Sequence, residues 1–285
     1  MSLFEKELPF VLSDVDGTLA LADLIIPENT IKSVLNYQKK SGYRFSFITG
    51  RNVIVNKKIA DELKIQLPIV SCNGALITDN KGKILSVDYL DKTTCVKIFR
   101  QAAKEGLDIV AYTPDAIVGT PNSNRVIAWR TYRDKQKPKH QFKITTYPNL
   151  DDIATAIADE EFKPVELVCT FENQDQKTRM VELFNQFSDQ IDYVQSLAFM
   201  TNVLKKGINK GYGLNKWCEI VKTNVPYVVC FGDNYNDIAM LKEVKHGYAV
   251  GNAVEALKEV AFKVVESVDN NGVGRQLENI MKNEY

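Results

Sequence analysis

Two aspartates close the first apolar run of the chain. In "PFVLSDVDGTLA", Phe10, Val11 and Leu12 lead directly to Asp14 and Asp16, and Gly17 and Thr18 follow at once. Side chains two apart on a strand share a face. The two carboxylates would then stand side by side and repel, at a cost that desolvation raises. A divalent cation resolves the repulsion, because Mg²⁺ takes hard oxygen ligands and keeps open positions for a substrate phosphate. Gly17 lets the chain turn sharply beside them. A helix-capping aspartate followed by an ordinary turn is the plainer alternative, and this pattern alone does not exclude it.

Other apolar runs end in a similar way. "FITGR" places Thr49 where a strand meets a helix start, whose free N–H groups and dipole suit phosphate. A simple threonine cap would read the same. "NKGYGL" puts Lys210 ahead of the helical stretch "GYGLNKWCEIVK". A lysine can neutralise a carboxylate and a phosphate as a compact point charge, although most lysines are simply exposed and Lys205 and Lys206 are rivals nearby. "VVCFGDNYNDIAML" ends a strand at Gly232-Asp233 and adds Asn236 and Asp237 within a turn. Packing alone rarely requires three such groups after a buried strand. Two anionic clusters converging on one cation would leave one aspartate to attack phosphorus, which is covalent catalysis by a carboxylate with a metal holding the charges together.

The elements that must position these residues are legible in outline. "PFVLSD", "YRFSFITGR", "PIVSCNG" and "PYVVCFGDN" read as strands buried on both faces, as in a parallel sheet. Between them, "PENTIKSVLNYQKKSG" has Pro27 near its start, apolar Ile31, Val34 and Leu35, and Gly42 at its stop, and "NVIVNKKIADELKI" reads as a second helix. The alternation predicts an α/β, doubly wound and mostly parallel sheet, a Rossmann-like core. Ligands of such sheets sit beyond the carboxyl ends of the strands, where the polar residues fall. The middle of the chain differs. "IVAYT", "RVIAWRTY", "VELVCTF" and "IDYVQS" look like strands, and "DKTTCVKIFRQAAKEG", "LDDIATAIADEE" and "DQKTRMVELFNQFS" like helices, with no comparable polar cluster. The expectation is a catalytic core of residues 1–87 and 197–285 with an inserted α+β cap of residues 88–196.

Some residues have plain readings. The basic stretch Arg130–Lys143 is a solvated loop or a cap loop that meets an anionic substrate. Cys72 and Cys230 read as core packing. Trp129 and Tyr132 fit either a substrate-facing surface or the cap's own core. His140 and His246 have no metal-ligand partners at suitable spacing.

Composition narrows the class. The 285 residues leave room for two domains. Lys plus Arg and Asp plus Glu both number 36, so there is no basic footprint of a nucleic-acid or membrane-surface protein. The first residues hold no apolar stretch of signal-peptide length, and no run nears the roughly 20 residues of a spanning helix. The five cysteines are scattered and form no CxxC pair, against a disulfide framework or a structural zinc site. The expectation is a reduced, cytoplasmic protein, monomer or homodimer, with a small phosphorylated molecule as its partner and neither nucleic acid nor membrane.

The order DxDGT, TGR, Lys-Gly, GDxxND resembles that of the haloacid dehalogenase superfamily of phosphohydrolases. "TGR", "SCNGA" and the closing "GYAVGNAVEALKEVA…NNGV" resemble its Cof-type branch, which carries a large α/β cap between the second and third motifs. Two positions depart from the branch: Phe262 stands where an Asp is usual, and Asn271-Gly272 where Asp-Gly is usual. Neither touches the four motifs. The resemblance implies that Asp14 is the nucleophile and a Mg²⁺ ligand. It implies that Asp16 is the general acid and base, with its backbone carbonyl on the metal. Thr49 and Lys210 would hold the phosphate, and Gly50 and Arg51, the latter characteristic of the branch, would join them in binding phosphate or substrate. Asp233 would be the metal ligand of the far cluster, Asn236 a phosphoryl contact, and Asp237 a support for Lys210 or a metal-bound water. Asn73 would lie near the phosphate or substrate. The implied function is a Mg²⁺-dependent phosphohydrolase for a small phosphorylated metabolite, foremost a sugar phosphate, through an aspartyl-phosphate. A phosphotransferase such as a sugar phosphomutase is one alternative. A non-catalytic regulatory protein is another, though such proteins usually lose a catalytic aspartate and all are present here.

Overall fold

In the computed structural model, which describes residues 7–21, 24–197 and 199–284, the chain runs through β1 (Val11–Ser13), α1 (Glu28–Ser41), β2 (Phe45–Phe47), α2 (Lys57–Glu62), β3 (Ile69–Ser71), β4 (Leu76–Thr78) and β5 (Ile84–Val87). It continues through α3 (Lys92–Glu105), β6 (Asp108–Tyr112), β7 (Ile117–Gly119), α4 (Asn124–Asp134), β8 (Ile144–Thr146), α5 (Leu150–Ala158), β9 (Glu166–Thr170), α6 (Gln174–Asn185), β10 (Ile191–Leu197) and β11 (Met200–Lys205). It returns through α7 (Lys210–Val221), β12 (Val229–Gly232), α8 (Ile238–Glu243), β13 (His246–Ala249), α9 (Glu255–Lys258), β14 (Lys263–Val264) and α10 (Gly272–Met281).

The core is a parallel sheet in the order β14-β13-β12-β1-β2. Strand β1 is wholly buried, with Val11 paired to Val229 of β12 on one side and Phe45 of β2 on the other. Strands covered on both faces carry continuous apolar runs, which is why they were legible. The helix expected after Pro27 forms over Glu28–Ser41 and stops at Gly42, whose φ of 67° is the left-handed cap glycine tolerates. The fold is therefore the expected α/β sheet with an additional domain.

Local readings differ in four places. "PIVSCNG" forms β3, but its strand partner β4 is antiparallel. Cys72, Asn73 and Gly74 all take positive φ, so the chain reverses there instead of crossing over; a single bridge, Ile48 to Val70, links this strand to the main sheet. "NVIVNKKIADELKI" splits into a 3₁₀ turn at Val53–Val55, capped by the Asn52 side chain, and the short α2. "RVIAWRTY" is helical, not extended. The Ser123 side chain caps α4 by accepting from Val126 N–H, and Val126 and Trp129 share the buried face at helical spacing. Finally, β11 lies in the inserted sheet, so that sheet extends to Lys205, past the boundary expected at residue 196.

The inserted sheet has the order β10-β11-β9-β6-β7-β8 and is mostly antiparallel. Strand alternation splits it into two faces. Ile109, Ala111, Leu167 and Cys169 pack with Ile98, Phe99 and Phe184 of the covering helices. Val110, Tyr112 and Val168 pack the other way, with Trp129 of α4 and with Val55 and Leu76 of the first domain. The cap sheet thus turns one face toward the site. The basic stretch bridges the two parts: it begins in α4, and His140 Nε2 lies 2.8 Å from Asp61 of α2, with Lys139 3.6 Å from the same carboxylate.

Candidate active site

The sequence motifs meet at the carboxyl edge of the parallel sheet. Asp14 follows β1, Thr49 follows β2, Lys210 opens α7 and Asp233 follows β12. Lys210 is wholly buried, and its Nζ donates to Asp14 Oδ1 at 2.5 Å and Asp237 Oδ1 at 2.6 Å. The second oxygen of Asp237 accepts from the backbone N–H groups of Asp233 and Asn234, both at 3.0 Å. Both Asp237 oxygens are therefore engaged within the protein. Asp237 thus holds both the lysine and the 233–237 turn. Thr18 donates to Asp233 Oδ1 at 2.8 Å. Gly17 permits this approach: its φ is 83°, and a Cβ there would sit 2.4 Å from Asp233 Oδ2.

Asp16 turns a different way. Arg51 grips it in a bidentate pair, Nε to Oδ2 at 2.8 Å and Nη2 to Oδ1 at 2.6 Å. Burial works to raise the Asp16 pKa, but the Arg51 guanidinium overrides it and holds the carboxyl below its usual range. Thr49 Oγ1 accepts from Arg51 N–H at 3.1 Å, bracing the turn that carries this arginine. Gly50 sits against Asn73, where a Cβ would come within 3.0 Å of Nδ2.

The other carboxylates show where positive charge is short. Burial raises Asp14 to about 6 despite Lys210, with Asp237 and Asp16 adding to the effect. Burial raises Asp233 to about 9, with Asp14 and Asp237 again adding. Oxygens of Asp14, Asp233 and Asp237 all lie within 4.8 Å of one another. An all-carboxylate donor set with unrelieved repulsion fits a hard divalent cation, and Asp14 and Asp233, less engaged than Asp237, are the residues that would ligate it directly.

Above this floor opens a cavity of about 810 Å³. Asp14, Asp16, Asp233 and Asn236 line its core end, and Arg125, Trp129 and Tyr132 line it from α4 of the cap. Trp129 and Tyr132 thus serve both readings, because Trp129 also packs in the cap's inner cluster. Asn73 is buried beneath, with its Oδ1 accepting from Asn236 Nδ2 at 2.9 Å. Two site residues escaped the sequence reading. Arg125 sits in a stretch read as a strand. Glu166 opens an apolar strand, and no local pattern marks its long-range partners.

A parallel sheet with carboxylates and a lysine at its edge, under an inserted cap, defines a capped phosphohydrolase of the α/β class. The sequence profile of the haloacid dehalogenase-like hydrolases matches residues 11–277. The chain belongs to that family, as a Cof-type member, and is a phosphoric monoester hydrolase acting on small phosphorylated substrates. It is 28% identical over 263 residues to the Bacillus subtilis protein YkrA, covering 92% of this chain and 94% of that one. It is 24% identical over 256 residues to the pyridoxal phosphate phosphatase YbhA of Escherichia coli, covering 88% and 91%. Its fold matches the sugar phosphatase BT4131, a HAD subclass IIB structure, with a TM-score of 0.78 at 18% identity, covering 96% and 99%. Among the described residues, no helix is long and apolar enough to cross a membrane.

Proposed function

We propose that this phosphatase is Mg²⁺-dependent and hydrolyses the phosphate ester of a small metabolite, foremost a sugar phosphate, through an aspartyl-phosphate on Asp14. The observation that carries the reading is the Asp14–Lys210–Asp237 chain beside Asp233 at the floor of a cavity shared with the cap. Mg²⁺, when held by Asp14 and Asp233, supplies charge neutralisation for the nucleophile and phosphoryl oxygens. Asp14 attacks phosphorus and the bond to the ester oxygen breaks. Asp16 protonates that oxygen, then takes a proton from the water that opens the aspartyl-phosphate. The Arg51 pair keeps Asp16 ionised, as the second step needs, so the first step requires the carboxyl to part from Arg51 and take up a proton.

The cavity volume accommodates a sugar-sized leaving group, and Ser196, Asn202 and Asn234 add polar groups to its wall. One experiment tests the reading: phosphate release from a panel of phosphorylated metabolites with Mg²⁺, run in ¹⁸O-labelled water. Labelled phosphate from at least one ester supports it. Transfer to a second hydroxyl without label, or no release, overturns it.

A further inference from the structure

Glu166 opens β9 on the site-facing side of the cap sheet, and it is wholly buried. Its Oε1 accepts from Asn73 Nδ2 at 2.7 Å and from Asn202 Nδ2 at 2.6 Å. Asn73 belongs to the first domain and Asn202 to β11 of the cap sheet. Burial pushes the Glu166 carboxyl up to about 7, with the bonds from Asn73, Asn202 and Cys72 and the charge of Arg125 acting the other way. Tyr112 is a further titratable group close enough to feel it. An apolar residue would fill such a place at less cost, since a buried carboxylate without a paired cation is unfavourable.

The polarity of the chain gives it a use. Oε1 accepts whether or not a proton sits on Oε2, so Asn73 turns its nitrogen to Glu166 and its oxygen to Asn236, and Asn236 then turns its nitrogen to Asn73. Each primary amide has a second N–H, and Asn236 lines the cavity at the phosphoryl end.

We propose that Glu166 is a positioning residue: from the cap it fixes the amide orientation of Asn73, and through it that of Asn236, so that the phosphoryl-binding face is complete only with the cap seated. This rests on the phosphatase reading above.

The test is a double-mutant cycle on the full chain. Glu166→Asp keeps the charge but loses the reach to Asn73, and kcat/KM should fall about 10- to 100-fold. The loss should be the same for an aryl phosphate and for metabolite esters, although the residue is on the cap. Glu166→Gln keeps the reach and should retain about a third or more of kcat/KM. In an Asn73→Ala background, Glu166→Asp should change kcat/KM by less than about two-fold. Inorganic phosphate affinity should follow the same cycle. Additive losses, a loss that depends on the leaving group, or a Glu166→Asp protein with unchanged kcat/KM would overturn the proposal. Should Glu166→Asp not fold, Glu166→Leu takes its place in the cycle. Absence of turnover in the unsubstituted protein would sink the phosphatase reading alone, and the cycle would then be read in phosphate affinity.

Discussion

Replacing Lys210 by Met isolates the charge at the centre of the site. Methionine keeps most of the length of the lysine stem, so packing changes little. The ammonium it removes is 0% exposed and bonds carboxylates that are themselves 7% and 0% exposed. Burial opposes the charge, yet the two carboxylates hold the Lys210 pKa above the usual lysine range. Removing one member of a buried, hydrogen-bonded ionic group leaves the other charges uncompensated and costs about 3–5 kcal/mol. Urea unfolding at pH 8 in excess chelator measures this. The chain has two tryptophans, and Trp217 lies in the core cluster with its ring N–H on Pro68 O at 2.8 Å. In a Trp129→Phe background it reports the core alone. With a slope of about 3 kcal/mol per molar, the midpoint should fall by roughly 1–1.7 M. Lys216→Met on the same helix is the control. That side chain is 39% exposed and pairs with Glu219 on the surface, so its loss should cost under about 1 kcal/mol. A Lys210→Met midpoint no lower than the control's would refute the view of Lys210 as the shared counter-ion.

Asp14→Asn should abolish turnover in a folded protein, because the amide is a poor nucleophile; retention of more than a trace of phosphate release would remove Asp14 from that role. Asp16→Asn should slow a sugar ester far more than nitrophenyl phosphate, by about 10²–10⁴, since only the alkoxide leaving group needs the proton. Rapid mixing with the aryl ester should show a burst near one equivalent, and equal losses without a burst would show the side chain to be passive. Chelator should stop turnover and Ca²⁺ should restore little, because Ca²⁺ accepts more ligands and can engage both oxygens of the attacking carboxylate; full activity in chelator would end the metal assignment. Glu166→Gln should change how stability responds to pH. A carboxyl raised from 4.5 to about 7 on folding contributes stability that is full below 4.5 and lost as pH climbs through 7, about 3 kcal/mol in all. The variant should therefore gain on the unsubstituted protein from pH 5 to pH 8 in thermal melts, and parallel profiles would contradict the buried charge.

The site was legible where chemistry is concentrated at the ends of short strands. Asp14, Asp16, Asp233 and Asp237 stand out because apolar runs stop abruptly at acids, and a doubly covered parallel strand has nowhere else for polar groups. What the sequence hid were partnerships over distance. Glu166 meets Asn73 across 93 positions and Asn202 across 36, and "VELVCTF" carries no trace of either. The helix α4 was hidden for another reason. Valine, isoleucine, tryptophan and tyrosine in "RVIAWRTY" favour strands only as a weak prior, and tertiary context overrode it. Ser123 at the cap position and the spacing of Val126 and Trp129 were the available signals. The paired strands β10 and β11 end at Leu197 and begin at Met200, so a boundary drawn at the last strand-like run separated two partners of one antiparallel pair.

The first aspartate pair also turned out to be resolved in two different ways. Asp14 and Asp16 bond different cations: Lys210 contacts Asp14 and Asp237, and Arg51 contacts Asp16. Four carboxylates therefore meet two cations in direct contact, and two negative charges are left over. The pKa values show where the excess lies. The carboxyl gripped by Arg51 falls below its usual range, whereas Asp14 and Asp233 rise to about 6 and about 9. Arg125 from the cap is felt at Asp16. An excess of two charges, placed on two carboxylates from opposite ends of the sequence, is what a single divalent ion would balance. The same arrangement separates the two aspartates by task. On the mechanism proposed above, Asp14 would attack from the place where charge is short, while Asp16, paired with Arg51, would have to leave that arginine before it gave a proton.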